Sequence, residues 1–178
     1  MSSFGLVPHP STGPSAISEV TVVVTRTFGG IDLRYRVRGG IDRLVVPGAS
    51  LPQRSDGLWK TTCFELFAKL HDEDGYQEFN FAPSSRWAAY RFDGYRSGMR
   101  EAAMFYHQIT PRSEPGLFEL HVNVIAEEMA DLAVWQAALS AVIEETDGTK
   151  SYWALHHPPG KPDFHHPDCF VIDLPPAS

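Results

Sequence analysis

Two seven-residue segments alternate apolar and polar side chains without exception. Residues 32–38 place Leu33, Tyr35 and Val37 on one side and three arginines on the other, and residues 118–124 repeat the pattern with four apolar side chains. Successive side chains of a β-strand point to opposite faces, so each segment predicts a strand with one buried face. A chain built on such strands must pair them into sheets and cover the apolar side of each sheet.

Other segments extend this pattern to an all-β fold. Aromatic and β-branched residues concentrate in six further predicted strands, at residues 19–28, 63–70, 76–81, 87–92, 105–111 and 170–174. Glycine pairs at 29–30 and 39–40 predict turns. Many short strands with little helical pattern predict one antiparallel β-sandwich domain over residues 1–178, with at most one short helix, a lead-in at 1–17 and a tail at 175–178.

One segment, residues 126–145, carries two competing periods. The helical spacing is carried by Met129, Leu132, Gln136, Leu139 and Ile143. The strand spacing is carried by Trp135, Ala137, Leu139, Ala141 and Ile143. Periodicity alone favours a helix from Ala126 to Glu145.

Composition narrows the classes of partner. The 178 residues carry a formal charge of −7, which argues against nucleic acid because phosphate binding needs a basic surface. No segment reaches the roughly 20 apolar residues of a membrane helix, and the first residues lack the pattern of a signal peptide. Cys63 and Cys169 are too few for a disulfide framework. We therefore expect a cytoplasmic protein with reduced thiols and no membrane partner.

The segment at residues 151–170 holds four of the eight histidines. Pro159 and Gly160 predict a turn that brings the two histidine pairs, 156–157 and 165–166, toward each other. Adjacent histidines on extended backbone point to opposite sides, so each pair offers one ring per face. The spacing matches no closed zinc pattern, which favours a structural role. The metal-ligand candidates that remain are His156, His165 and Asp168.

A second constellation surrounds Glu65. On a strand it shares a face with Cys63 and Phe67, so its carboxylate has apolar neighbours and needs a hydrogen-bond donor. The predicted donors are Arg86, Arg91 and Lys161. A structural salt bridge is favoured over catalysis.

A third constellation is the aromatic-rich stretch at residues 78–95. It combines Asn80, Trp87, Tyr90 and Arg91, which suits stacking on a sugar with polar contacts at its edge, and equally suits the filling of a core. No Gly-x-Ser-x-Gly, His-Glu-x-x-His, P-loop or dinucleotide motif is present. A non-catalytic protein is therefore favoured over an enzyme.

In this order the constellations resemble the DOMON-like domains related to family 9 carbohydrate-binding modules, in their bacterial stand-alone branch. The resemblance lies in Trp59 leading into the strand with Glu65, in Asn80 followed by a turn and Trp87, and in the closing Pro162-Asp-Phe-His-His-Pro-Asp-Cys-Phe170. With the opening Leu6-Val-Pro-His-Pro it covers nearly the whole chain. It implies a jelly-roll-like antiparallel sandwich whose ligand site uses aromatic rings near one sheet or its rim.

The same resemblance bears on the segment with two periods and on cofactors. It implies a short helical turn at residues 127–133, a strand at 135–146 and a hairpin through Asp147-Gly148 to residues 150–155. Relatives usually carry acids where this chain has Lys60, Thr61 and Thr62, so no calcium is expected there, and calcium stays an alternative. Haem is the other alternative, because other DOMON branches resemble cytochromes. The candidate haem ligands are Met99, Met104, His107, His121 and His165.

The expected function is binding of a saccharide or similar small polar ligand, without catalysis and without a cofactor. A haem-binding redox module and a metal-dependent enzyme that uses residues 156–166 are the alternatives. The predicted ligand-binding residues are Trp59, Glu65, Asn80, Trp87, Tyr90, Arg91, Trp153, His156 and His165. Within the histidine-rich segment, Trp153 and His156 are favoured.

Overall fold

The computed structural model describes residues 1–103, 106–125 and 133–176, with only the backbone at 106 and 107. The all-β prediction is confirmed. The strands are β1 (Ser2–Pro8), β2 (Ile17–Thr27), β3 (Gly30–Gly39), β4 (Gln53–Arg54), β5 (Cys63–Leu70), β6 (Tyr76–Phe81), β7 (Arg86–Phe92), β8 (Arg100–Glu101), β9 (Tyr106–Glu114), β10 (Leu117–Ile125), β11 (Trp135–Glu144), β12 (Lys150–Ala154) and β13 (Ile172–Leu174).

Helical structure in the described residues is limited to single turns. Three 3₁₀ turns are present, at Ile41–Arg43, Leu58–Lys60 and Pro167–Cys169. For the whole chain, the sequence predicts at most one short helix. None of the helical segments in this described part has the length and apolar character needed to cross a membrane.

Two sheets build the molecule. Sheet A has the order β1-β2-β3-β10-β9, and sheet B has the order β4-β7-β6-β5-β11-β12, with β8 beside β7 and β13 beside β11. The strand pairs are antiparallel apart from β4 with β7. Strand β1 belongs to both sheets, because its residues Ser2–Leu6 pair with β2 while Val7 and Pro8 pair with β12. This shared strand joins the sheets along one side.

The core lies between the inner faces of the two sheets, where alternate residues of each strand are buried. The Phe64 ring from sheet B stacks on the Phe118 ring from sheet A, with centroids 6.0 Å apart. The Tyr35 hydroxyl of β3 donates a 2.7 Å hydrogen bond to the backbone carbonyl of Glu65 on β5. Contacts between the sheets therefore include a specific polar link as well as apolar packing.

Sheet B is also buried on its outer face. Residues 155–171, here termed the closing loop, join β12 to β13 and cover this face. A second apolar cluster lies beneath it and comprises Leu58, Cys63, Phe67, Tyr76, Ala82, Ala88, Tyr90, Phe92, Ala138, Cys169 and Phe170. Consequently β6 is buried at every one of its six positions. Gly160 has the positive φ of 112° that the turn prediction requires.

Strand positions follow the sequence closely, and one interpretation is wrong. The bounds of β5 and β6 match the predicted strands. The segment with two periods forms strand Trp135–Glu144, as the resemblance implies, and not the helix that periodicity favours. Its alternation is masked because Leu139 faces the main core while Ala138 faces the second cluster. The helical turn predicted at 127–133 falls mainly on residues 126–132, outside the described residues.

Three strands have no counterpart in the sequence predictions. The lead-in at 1–17 contains β1, and the two-residue strands β4 and β8 lie along β7 at the rim of sheet B. The predicted hairpin from β11 to β12 is present, with Gly148 at a φ of 86°.

Candidate functional site

A cavity of about 380 Å³ opens on the outer face of sheet B, beneath the closing loop. Its floor comes from β5 and β6, and its walls from the 3₁₀ turn before β5, the turn after β7, β12 and the closing loop. Its lining comprises Trp59, Glu65, Glu78, Phe92, Arg96, Met99, Val142, Tyr152, Pro162, Phe164 and His165. Polar groups and aromatic rings therefore share one partly open cavity, which is typical of small-molecule sites.

Two buried carboxyl groups form the floor. Glu65 on β5 is opposite Asn80, and Glu78 on β6 is opposite Phe67, so the two glutamates lie diagonally on one face. The Ser140 hydroxyl donates a 2.9 Å hydrogen bond to Oε2 of Glu65. The Asn80 amide donates a 2.7 Å hydrogen bond to Oε1 of Glu78. The protein thus holds one oxygen of each carboxyl group by a hydrogen bond, and both glutamates line the cavity.

The environment of these carboxyl groups favours the protonated state. Burial raises the pKa of Glu65 to about 8, and the nearby charge of Glu78 adds to this shift, while the hydrogen bond from Ser140 opposes it. Burial also raises the pKa of Glu78, against the effects of Asn80 and Arg96. The pair therefore retains a proton at neutral pH.

His165 from the closing loop lies above this floor. Its Nδ1 is 2.8 Å from the Tyr76 hydroxyl, which itself accepts a 3.2 Å hydrogen bond from the backbone N–H of Arg96. The Tyr76 proton is then free to go to Nδ1, which leaves the ring proton on Nε2, 3.8 Å from Oε2 of Glu78. Burial, with Arg96, lowers the pKa of His165 to about 4. His165 is thus a neutral donor at physiological pH.

A polar latch fixes the closing loop over the cavity. The latch consists of Tyr95, Arg96 and Asp163: the Arg96 guanidinium donates to Oδ1 of Asp163 at 2.7 Å, and the Tyr95 hydroxyl donates to Oδ2 at 2.5 Å. Arg96 takes a left-handed backbone conformation, with a φ of 51°, which non-glycine residues adopt rarely. The same turn therefore shapes the cavity wall and anchors its cover.

Trp59 provides the open aromatic wall. Its side chain is 40% exposed, and its ring meets the edge of Tyr90 with centroids 6.3 Å apart. The Tyr90 hydroxyl donates a 2.6 Å hydrogen bond to Asp56, and Arg54 lies 5.3 Å from the Tyr90 ring centroid. Tyr90 is thereby fixed as a support behind Trp59. Opposite walls come from Tyr152 and Phe164, whose ring centroids are 6.3 Å apart.

Five of the nine predicted ligand-binding residues lie at the cavity, either in its lining or directly behind it. Trp59, Glu65 and His165 line the cavity. Asn80 and Tyr90 lie on the same face of sheet B and support it, through Glu78 and Trp59 respectively.

The other four predicted residues lie elsewhere. Trp153 is buried in the main core, where its Nε1–H donates to Ser151 at 2.8 Å. Trp87 packs against the same core. Arg91 lines a separate hollow of about 110 Å³, and His156 is exposed. Strand parity separates them from Tyr90, since residues 87, 91 and 153 point to the inner side of sheet B.

The expected ion pair at Glu65 is replaced by a neutral contact. Ser140 on β11 is the donor, not Arg86, Arg91 or Lys161, so the salt-bridge interpretation is wrong. The cavity residues that are absent from the predicted ligand-binding set are Glu78, Phe92, Arg96, Met99, Val142, Tyr152, Pro162 and Phe164. Glu78 shares strand parity with Asn80, and that relation is a signal available in the sequence.

No grouping of three or more His, Cys, Asp and Glu side chains suited to a metal occurs among the described residues. The candidates diverge: His165 faces the cavity, while His156 and Asp168 are exposed. At Lys60, one of the positions where relatives usually carry acids, the backbone carbonyl accepts a hydrogen bond from the Lys150 ammonium.

Of the candidate haem ligands whose side chains the structure describes, two line the cavity and one lies on the other sheet. His121 lies on the outer face of sheet A, where Nε2 is 2.5 Å from Asp32, whereas Met99 and His165 line the cavity on sheet B. Met104 and the side chain of His107 lie outside the described residues. His121 and His165 therefore cannot serve as two ligands of one haem iron.

Solved structures that are similar to this chain include two with a TM-score of 0.50 or higher. A candidate carbohydrate-binding protein from Bacteroides uniformis ATCC 8492 matches with a TM-score of 0.68 and 19% identity, over 95% of this chain and 84% of that protein. A family 9 carbohydrate-binding module from Caldicellulosiruptor kristjanssonii, in complex with glucose, matches with a TM-score of 0.50 and 8% identity, over 83% and 71%. No protein-family model and no curated protein sequence matches the chain. The likeness supports the resemblance to family 9 modules at the level of the fold, and the DOMON-like assignment stays a prediction.

Proposed function

We propose that this chain is a non-catalytic binding module for a saccharide or a similar small polar ligand, and that the cavity on sheet B is its site. The observation that carries the proposal is the combination of a polar floor, Glu65 and Glu78, with an open aromatic wall at Trp59. Saccharides present C–H faces and hydroxyl edges, and this cavity offers a partner to each.

The polar contacts can be assigned from the geometry. Oε1 of Glu65 and Oε2 of Glu78 are the carboxyl oxygens opposite those bound by Ser140 and Asn80. The proton that the pair retains makes one of these two oxygens a donor to a ligand oxygen, and the other accepts from a ligand hydroxyl group. The Nε2–H of His165 is the matching donor to a ligand oxygen. A hydroxyl group donates and accepts, and this mixed set satisfies both functions.

The fold likeness supports the same proposal. The family 9 module with a TM-score of 0.50 is in complex with glucose, and the Bacteroides uniformis protein is described as a candidate carbohydrate-binding protein. The cavity in this chain gives that general likeness a specific location.

Glycan-array screening followed by calorimetric titration tests the proposal. We expect saturable binding that weakens at least about tenfold in Trp59→Ala, because aromatic stacking contributes on the order of 1–3 kcal/mol. Phe28→Ala is the matched control, since Phe28 is 87% exposed on the hairpin between β2 and β3, in sheet A. Glu78→Gln, with Glu119→Gln on sheet A as its control, tests the floor. Flat titrations with folded protein, or equal affinities in site and control variants, would overturn the proposal.

A further inference from the structure

We propose that the preferred ligand of this cavity carries a protonated amine, so that within the saccharides the site selects amino sugars over neutral sugars. This inference rests on the proposed function and names its ligand class. It follows from the charges and rings around the cavity, which are set out below.

The floor carries an excess of acidic groups. Glu65 and Glu78 are 2% and 5% exposed, and the side chains above them are the rings and apolar groups of the walls. Arg96 is the cation in the lining, and its guanidinium is already bound to Asp163 in the latch. Burying a carboxylate without a counter-charge is costly, and such a cost is characteristic of functional sites. An ammonium group would supply the counter-charge.

The free oxygens and the rings suit an ammonium group. It has three N–H donors, and two of them match Oε1 of Glu65 and Oε2 of Glu78. The rings of Trp59, Phe92, Tyr152 and Phe164 line the same space, and aromatic faces attract cations within about 6 Å. A neutral hydroxyl group supplies one donor and no charge, so it leaves the acidic pair uncompensated.

Binding of an amine is expected to release a proton. At pH 7 the pair holds a proton, and an ammonium group stabilises both carboxylates; the proton then leaves Glu65 for the solvent and the net charge balances. The other titratable or charged groups around the pair are Tyr35 on β3, Cys63 on β5, Tyr76 on β6, Tyr90 on β7, Tyr152 on β12, Arg96 after β7, and Asp163 and His165 in the closing loop. The pKa values of Tyr35, Cys63, Tyr76, Tyr90 and Arg96 are raised and those of Asp163 and His165 are lowered. Each of these groups is shifted away from 7, so the released proton reports on the glutamates.

Calorimetric titration of the full chain at pH 7 tests this inference with matched ligands: glucosamine, glucose and N-acetylglucosamine, the corresponding galactose series, and ethanolamine as an amine without a sugar. We expect each amino sugar to bind at least about tenfold more tightly than its neutral and N-acetylated partners, since pairing a buried charge contributes several kcal/mol. Titrations in buffers of different ionisation enthalpy should show the release of up to about one proton per ligand.

Variants locate the effect. Glu65→Gln should reduce the affinity for the amino sugar more than that for the neutral sugar, so that their ratio falls toward one, while Glu119→Gln on sheet A leaves the ratio unchanged. Circular dichroism confirms that each variant is folded.

The outcomes separate this inference from the proposed function. Equal or tighter binding of the neutral sugars overturns the amine preference and leaves saccharide binding intact. Binding of ethanolamine without any saccharide supports the amine preference and overturns the saccharide module. Failure of every ligand to bind overturns both.

Discussion

The outer faces of the two sheets are built from the same kind of alternating strand, but the outer face of sheet A contacts solvent and that of sheet B is covered. On sheet A the outer positions hold ion pairs that are partly or fully exposed, such as Arg36 with Glu119 at 2.8 Å and Arg38 with Glu19 at 3.3 Å. On sheet B they hold Glu65 and Glu78 under the closing loop. Similar acidic residues are therefore solvated on one face and desolvated on the other.

This difference teaches where binding capacity comes from. An exposed ion pair is screened by water and contributes little to stability, whereas a desolvated carboxyl group interacts strongly with whatever replaces the water. The closing loop, not the composition of the strand, turns the outer face of sheet B into a site. Four predictions test this contrast, in order of decreasing effect.

Phe67→Ala should have the largest effect on folding. Phe67 is buried on the outer face of sheet B, with ring contacts to Tyr76, His165 and Phe170, and its removal should lower the free energy of unfolding by about 3–5 kcal/mol. Urea denaturation measures the change. Val23→Ala on the partly exposed outer face of sheet A is the control, with a loss below about 1 kcal/mol. Equal losses would show that the closing loop does not create a second core.

Glu65→Gln should change the pH dependence of stability. The folded pKa of Glu65, about 8, lies above its unfolded value of 4.5, so its contribution is complete below 4.5 and is lost as the pH rises through 8. His165, at about 4, acts in the opposite direction between 4 and 6.5. The clean window is therefore pH 6.5–8.

In that window the wild type should lose stability with a slope of up to about 1.4 kcal/mol per pH unit, and the Gln variant should show a flatter slope. Thermal unfolding at a series of pH values measures both slopes, and Glu119→Gln on sheet A should follow the wild type. The same slope in the wild type, Glu65→Gln and Glu119→Gln would show that burial of Glu65 does not affect the pH dependence of stability.

Asp163→Asn should loosen the latch. The substitution removes the charge that binds Arg96, at a cost of about 1 kcal/mol in this partly exposed setting. Hydrogen exchange should accelerate in the closing loop and stay unchanged in sheet A. Asp168→Asn is the control in the same loop, because the Asp168 side chain is 62% exposed. Faster exchange in both variants would mean that charge in general, and not the latch, holds the loop.

Arg36→Ala should have the smallest effect. Its guanidinium pairs with Glu119 on the solvated face, so the free energy of unfolding should fall by less than about 1 kcal/mol, and by less still at high salt. A double-mutant cycle with Glu119→Ala measures the coupling. A coupling above about 2 kcal/mol would show that charges on the outer face of sheet A interact as strongly as desolvated charges do, which contradicts the contrast between the two faces.

The solvated face also explains which strands the sequence predicts well. Strands β3 and β10 keep one face in solvent, so their alternation is visible in the sequence. Strand β11 is buried on both faces, and there the period of two is replaced by a nearly continuous apolar run that also fits a helix. Aromatic density locates β5 and β6 despite the same burial.

The site was accessible to sequence reasoning only in part. Trp59, Glu65 and His165 come from three separate segments, and the residues themselves indicate a polar site with an aromatic wall. The density of aromatic and histidine residues around Trp153 favours it as a ligand contact. Strand β12 pairs with both β1 and β11, however, and that non-local pairing turns Trp153 into the core. Glu78 is absent from the predicted ligand-binding residues because its place in the floor depends on the pairing of β6 with β5.

The strand shared by both sheets has a consequence for the order of folding. Strand β1 pairs with β2 through neighbouring residues, but Val7 pairs with Ala154, near the other end of the chain. On the ribosome, sheet A can acquire its first hairpins early, whereas the seam between the sheets cannot close until β12 has emerged. Such long-range closure slows folding and leaves apolar edges exposed for longer. The nascent chain therefore cannot complete the junction between its two sheets until β12 has been synthesised.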